Sequence, residues 1–242
     1  MTFVIAERAS DSAFVASIWQ ARCARPGSFL SVAAPYWEMV VTRYQGRATL
    51  TVRGPETTAT PLHYQWVGAE WLGIRFKLGA FMPLLLPQTL RDRQDVNLPG
   101  VTRTTFWLHG AAWEFPTYEN ADTFVERLTD EHLLARDSVV DAVLHEDRRI
   151  ASTRAIQYHF LRSTGLRYKT VRQIERARRA KVLLEQGAAI ADTVLATGYF
   201  DQAHLTNALK RFLGQTPAQI VRGAYPEDSL RFFPRQAQVL AL

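Results

Sequence analysis

The chain has 242 residues, 47% of them hydrophobic, enough for a core of one large or two small domains, and two are expected. One cysteine, Cys23, excludes an internal disulfide framework and a multi-thiolate zinc site and fits a reducing cytosol. Lys and Arg outnumber Asp and Glu by 29 to 23, a formal charge of +6 whose meaning depends on where the excess lies.

The opening MTFVIAERASDS carries acids early and lacks a long apolar core, and no 18-residue apolar span follows. Neither export nor membrane insertion is expected, and the reading is cytoplasmic. Residues 1–119 then read as a β-rich domain. Apolar and polar residues alternate in YWEMVVTRY, RATLTVRG and WLGIRFKLGA, between breaks at Pro26-Gly27, Gly46, Gly54-Pro55, Gly68 and Gly79. That spacing suits a sandwich or barrel, with one short helix expected at AFMPLLL.

The aromatics of this domain are Tyr36, Trp37, Tyr44, Tyr64, Trp66, Trp71, Phe76, Phe81, Phe106, Trp107 and Trp113. They line an apolar ligand pocket or fill an ordinary sheet core, and the sequence leaves both open. For a ligand, Trp37, Trp66, Trp107 and Arg75 are the candidate contacts. Arg75 and Lys77 alternate on one strand, with Arg43 on a neighbour, so that face either meets an anion or is solvated. His63, His109, Glu38 and Glu114 are the one metal set to consider, but no pair has the i, i+2 or i, i+4 spacing that preorganises ligands. No metal and no cofactor are expected.

After Pro116 the texture changes to long stretches free of Gly and Pro. NADTFVERLTDEHLLA predicts a linker helix within 120–137, with Asn120 as its cap. From Arg148 to Arg222 there are fourteen Lys/Arg and four acids, while the rest of the chain carries fifteen against nineteen. Such a basic block is the electrostatic footprint of a nucleic-acid binder or, more blandly, a solvated helical surface.

The block contains an internal repeat. STRAIQYHFLRSTG at 152–165 meets DQAHLTNALKRFLG at 201–214 after a shift of 49 positions. Ser152 pairs with Asp201 as helix N-cap, Ile156 with Leu205, Phe160 with Leu209, Arg162 with Arg211, and Gly165 with Gly214 as the stop. In the second copy Leu205, Ala208, Leu209 and Phe212 make an apolar face, and Gln202, Thr206, Asn207 and Lys210 line the opposite one. AAIADTVLATGYF precedes it as a short helix ending at Gly198, which reads as helix-turn-helix. DSVVDAVLHEDRRIA supplies a similar lead for the first copy, with a longer, charged turn. Tyr168 to Glu185 predicts a connecting helix carrying Lys169, Arg172, Arg176, Arg178, Arg179 and Lys181. Two such units can enter successive major grooves, about 34 Å apart on one face of B-DNA.

From 138 to 223, and most clearly in GAAIADTVLATGYFDQAHLTNALKRFLGQTPAQI, the chain resembles the DNA-binding domain of AraC/XylS-type transcription regulators. The capped turn, the Lys-Arg-Phe run, the glycine and Thr216-Pro217 occur in the family's order. The resemblance implies base-facing positions at Arg154, Gln157 and Tyr158 in the first unit and Gln202, Ala203, Thr206 and Asn207 in the second. It also implies phosphate contacts among Ser152, Arg162, Lys169, Arg172, Arg176, Arg179, Lys210 and Arg211. Two departures stand out: HEDRRIA replaces the usual compact turn of the first unit, and Ala203 lacks the longer polar side chain common at its position. Gly73-Ile74-Arg75-Phe76-Lys77-Leu78-Gly79 is similar to a Gly-x-Arg-Phe-x-x-Gly signature of some AraC-like N-terminal domains. This implies a cupin-like sensor or dimeriser. The expected architecture is therefore α+β, with a β-rich N-terminal domain, a helical double helix-turn-helix domain and a tail at 224–242.

The function implied is a non-enzymatic, DNA-binding transcription regulator, with activator as the working reading and the sequence leaving activation and repression both open. Its partners would be promoter or operator DNA, RNA polymerase, a small-molecule effector and a second copy of the chain. The alternative is a cupin-like metalloenzyme or sensor with an accessory nucleic-acid-binding domain, for which clustered histidines are missing. A repair alkyltransferase using Cys23 lacks a second thiolate. An interaction protein whose basic helices bind an acidic partner remains as a third class.

Overall fold

Alternation of small, branched and aromatic side chains over runs of five to nine residues builds the N-terminal half as strands. The computed structural model describes residues 3–92, 95–145 and 152–223; the expected tail at 224–242, the Tyr64 side chain and all of the HEDRRIA turn after His145 lie outside the described residues. In chain order the strands are β1 (Phe3–Arg8), β2 (Val15–Cys23), β3 (Gly27–Ser31), β4 (Glu38–Tyr44), β5 (Arg47–Arg53), β6 (Thr60–Tyr64), β7 (Glu70–Phe76), β8 (Ala80–Phe81), β9 (Val96–Asn97), β10 (Thr105–Leu108) and β11 (Ala111–Glu114). An antiparallel sheet is ordered β1-β2-β7-β4-β5-β9, β3 and β6 form a separate antiparallel pair, and β10–β11 a separate hairpin.

Both faces of this sheet are covered. Ile18, Met39, Val41, Leu50, Leu72 and Ile74 point into one core, which is completed by Phe106, Trp113 and Phe115. Trp19, Ala21, Cys23 and Val40 form a smaller cluster on the other face, with Phe29 of β3 and Trp71 against it. Gly73 is required there: a Cβ would fall 2.0 Å from the Trp19 indole, so only glycine lets that ring lie across β7.

The run expected to be helical at AFMPLLL is a two-residue strand followed by a turn instead. Ala80–Phe81 pairs with β12 (Ala135–Arg136), Met82 bridges to Leu85, and the only helical turn is a 3-10 turn at Pro87–Thr89. Pro83 removes a backbone donor inside the run, and Ala80 and Met82 are drawn into the sheet core. The segment expected to link the domains forms α1 (Ala121–Asp130), whose Ala121, Phe124, Val125 and Leu128 are buried in the sheet core. Asn120 occupies its N-cap position, but its side chain accepts from the Thr117 N–H at 2.7 Å instead of capping the helix.

The C-terminal half is helical: α2 (Ser138–Leu144), α3 (Thr153–Thr164), α4 (Tyr168–Glu185), α5 (Ile190–Thr197), α6 (Gln202–Leu213) and α7 (Pro217–Val221). α4 is its axis, because Val171, Ile174, Ala177, Ala180 and Leu184 recur at helical spacing and face Phe160 of α3 and Leu205, Leu209 and Phe212 of α6 in one core. Ala33, from the chain between β3 and β4, is fully buried in that helical core, with Val32 and Leu78 beside it. The two halves thus share a packed boundary. Among the described residues no helix is long and apolar enough to cross a membrane.

Candidate nucleic-acid interface

The 49-residue repeat is a structural repeat with the same register. α3 and α6 are each twelve residues long, and both start and stop at equivalent positions. Ser152 Oγ accepts from the Ala155 N–H at 3.3 Å, and Asp201 Oδ1 from the His204 N–H at 2.7 Å. Gly165 and Gly214 end the helices at φ of 72° and 67°, where a side chain is disfavoured. The lead helices differ: eight residues separate α2 from α3, and four separate α5 from α6.

Burial of the apolar face orients the polar one. Leu205, Leu209 and Phe212 are inside, so Gln202, Ala203 and Asn207 are exposed, and Thr206 is half-buried with its hydroxyl donating to Gln202 O. On α3, Phe160 is inside, Arg154 and Gln157 are exposed, and Tyr158 is 60% exposed. Both sets of base-facing candidates therefore lie on the first two turns, exposed except for the half-buried Thr206, where side chains of a docked helix reach base edges.

The basic candidates divide by environment. Ser152, Arg162, Lys169, Lys210 and Arg211 are exposed, and Arg172 and Arg179 are half-buried on α4. Arg176 donates to Gly198 O at 3.3 Å and stacks 4.2 Å from the Tyr199 ring, stapling α4 to the second turn. Burial raises the Tyr199 phenol above its ordinary pKa, against the pull of Arg176. Lys181 is buried and lies 3.6 Å from Glu185, and Arg178 faces the β-domain, so two cations of the expected phosphate-facing helix belong to packing.

Two joints escaped the sequence reading. Asp137 caps α2 through the Val139 and Val140 N–H groups, and its carboxylate also meets His159 Nδ1 of α3 at 2.8 Å. An aspartate before SVVDAVL is a readable cap signal, but its partner 22 residues away is not. The other is Arg178, whose Nη2 donates to Tyr36 Oη at 3.2 Å and Ala33 O at 3.3 Å. Burial works against its charge, but Tyr36 and Glu175 outweigh burial and keep it protonated.

In the β-domain the four ligand candidates have separate surroundings. Trp37 is buried, stacks on Phe76 at 3.8 Å between ring centroids, and donates to Ala80 O at 2.6 Å. Trp66 is 52% exposed and stacks on Tyr44, whereas Trp107 is 46% exposed on β10. Arg75, on a face expected to be solvated or open to an anion, is buried. Its partners are Glu7 Oε1 at 3.1 Å, Ser17 Oγ at 3.2 Å and Glu38 at 3.8 Å, with the guanidinium 4.9 Å from the Tyr36 ring centroid. Glu38 also draws in Arg53, which Glu56 and Asp95 hold as well. Lys77 donates to Ser12 O and Arg43 to Pro116 O, so all three cations of that expected face are turned inward to protein partners.

Glu38 is committed to these arginines and to Trp19, and among the described residues no group of three His, Cys, Asp or Glu is arranged to hold a metal. Cys23 is buried and donates to Arg25 O, and burial pushes its thiol pKa up, away from the reactive thiolate.

The comparison with protein families matches residues 150–223 to a model described as a helix-turn-helix domain. No curated protein and no solved structure matches the chain. The match spans α3 through α7 and coincides with the repeat, the paired caps and the exposed polar turns. Together these support a DNA-binding helix-turn-helix domain of the AraC type at residues 150–223, of the kind carried by transcription regulators.

Proposed function

We propose that the protein is a cytoplasmic, sequence-specific transcription regulator. In it α3 and α6 read bases in successive major grooves, and the β-domain controls binding through a small-molecule effector or contacts with a second copy. The observation that carries this reading is the pair of equivalent twelve-residue helices, each capped at its start and polar and exposed over its first turns. Arg154, Gln157 and Tyr158 then meet one half-site, and Gln202, Ala203, Thr206 and Asn207 the other. Arg and Gln suit guanine and adenine edges, and the methyl of Ala203 or Thr206 suits thymine. Ser152, Arg162, Lys169, Lys210 and Arg211 at the helix ends, with Arg172, Arg176 and Arg179 of α4, supply phosphate contacts. Activation through RNA polymerase belongs to the same reading, as does an effector held near the exposed Trp66 or Trp107 of a cupin-like domain.

Selection of genomic fragments bound by the full chain identifies the cognate site and separates base recognition from simple polyanion binding. At that site Gln157→Ala is expected to cost about 1–3 kcal/mol and to relax preference at one base position. Arg179→Ala is expected to weaken all duplexes alike and to lower the salt slope by about one unit. Uniform loss for Gln157→Ala, with base preference unchanged, contradicts the assignment of α3 to base reading.

A further inference from the structure

The C-terminal ends of the two reading helices are both seated on the β-domain, at separate places. At the end of α3, a Cβ on Gly165 would lie 2.7 Å from main-chain atoms of Pro87 and Gln88. At the end of α6, a Cβ on Gly214 would lie 2.6 Å from Leu30 Cδ2 and 3.3 Å from Ala59 Cβ. Two carbonyls of the last turn of α6, which have no partner inside the helix, accept from that same region: Phe212 O from the Ala33 N–H and Arg211 O from the Ala59 N–H, each at 2.8 Å. The axis between the reading helices is held as well, since Arg178 of α4 bonds Tyr36 and Ala33 O. The repeat-equivalent glycines are thus both contact points, and α3, α4 and α6 each touch the β-domain independently.

An α4 of 18 residues, about 27 Å long, would alone leave the angle between the units to helix packing at its two ends. Three further anchors close the frame. We propose that the β-domain sets the separation and relative rotation of α3 and α6. Leu30, Ala59, Pro87, Gln88 and Arg178 are then positioning residues that select half-site spacing without approaching DNA. This rests on the reading of α3 and α6 as base-contacting helices. One base pair moves a half-site by about 3.4 Å along and about 35° around the duplex, so a braced pair rejects the wrong spacing.

The test uses the full chain and duplexes bearing the two selected half-sites at the natural separation and at one or two base pairs more or fewer. The wild type is expected to lose at least about tenfold in affinity for a one-base-pair change, the scale of a mismatched base. Leu30→Asp and Arg178→Met are expected to flatten that discrimination to below about threefold while leaving base preference within each half-site intact. Val101→Asp, on an exposed loop, should behave as wild type. Folded variants that keep the wild-type spacing preference overturn the proposal, and so does a wild type indifferent to spacing, whatever the variants do. A wild type with no base preference at either half-site defeats instead the reading of the helices on which the proposal stands.

Discussion

Gly165, Gly198 and Gly214 all end a helix in the left-handed region, at φ of 72°, 68° and 67°, but they face different surroundings. Alanine at any of them carries the left-handed cost of about 1 kcal/mol. At Gly198 a Cβ meets nothing within 4 Å, so Gly198→Ala should cost about that and no more. At Gly214 the atom met at 2.6 Å is the end of the Leu30 side chain, which can turn away. Gly214→Ala should therefore add an overpacking cost near the low end of its range, about 2 kcal/mol in all. At Gly165 the atoms met at 2.7 Å are main chain of Pro87 and Gln88, fixed by the proline ring and the 3-10 turn. Relief there requires the end of α3 to lift off the β-domain, and Gly165→Ala should cost about 3–4 kcal/mol. Equilibrium urea unfolding of the full chain followed by far-ultraviolet circular dichroism measures the series, and a chain of this size should show about 2–4 °C in Tm per kcal/mol. Equal costs for the three variants would refute the contact between the β-domain and the ends of α3 and α6.

Two further outcomes follow from the caps and from one carboxylate. Asp201→Ala removes an acceptor 2.7 Å from the His204 N–H and should cost about 1 kcal/mol, whereas Ser152→Ala removes one at 3.3 Å and should cost less; urea midpoints and amide exchange at His204 and Ala155 check the order. Burial tends to raise the pKa of Asp122, but hydrogen bonds from Ser10 and Arg8 outweigh burial and hold it below its ordinary value of 3.8. A depressed carboxylate contributes stability that is present above its unfolded pKa and lost as pH falls through the folded one. Asp122→Asn should therefore be less stable than wild type at neutral pH and converge with it below about pH 4, and a constant difference across that range would show that the carboxylate charge is not what ties β1 to α1.

Local signals and short-range periodicity determined the helical domain. A polar cap, an apolar i, i+3, i+4, i+7 face and a terminal glycine act within one helix, so α3 and α6, their shared register and their polar first turns were legible in the residues themselves. The central strands were legible for the same reason, since YWEMVVTRY and RATLTVRG alternate within one hairpin. What tertiary structure decided is where distant residues meet. AFMPLLL has helical composition, yet β12, more than fifty residues later, supplies the hydrogen bonds that hold Ala80–Phe81 extended. The α1 segment looks like a linker until its apolar face is seen filling the sheet core. Arg75 reads as a cation for an anionic ligand and Arg178 as one more charge of a basic helix, and only folding brings Glu7 and Glu38 to one and Tyr36 to the other. A charge in sequence carries no record of its partner; burial beside a countercharge is a property of the assembled halves, and so is the brace that holds the two reading helices together.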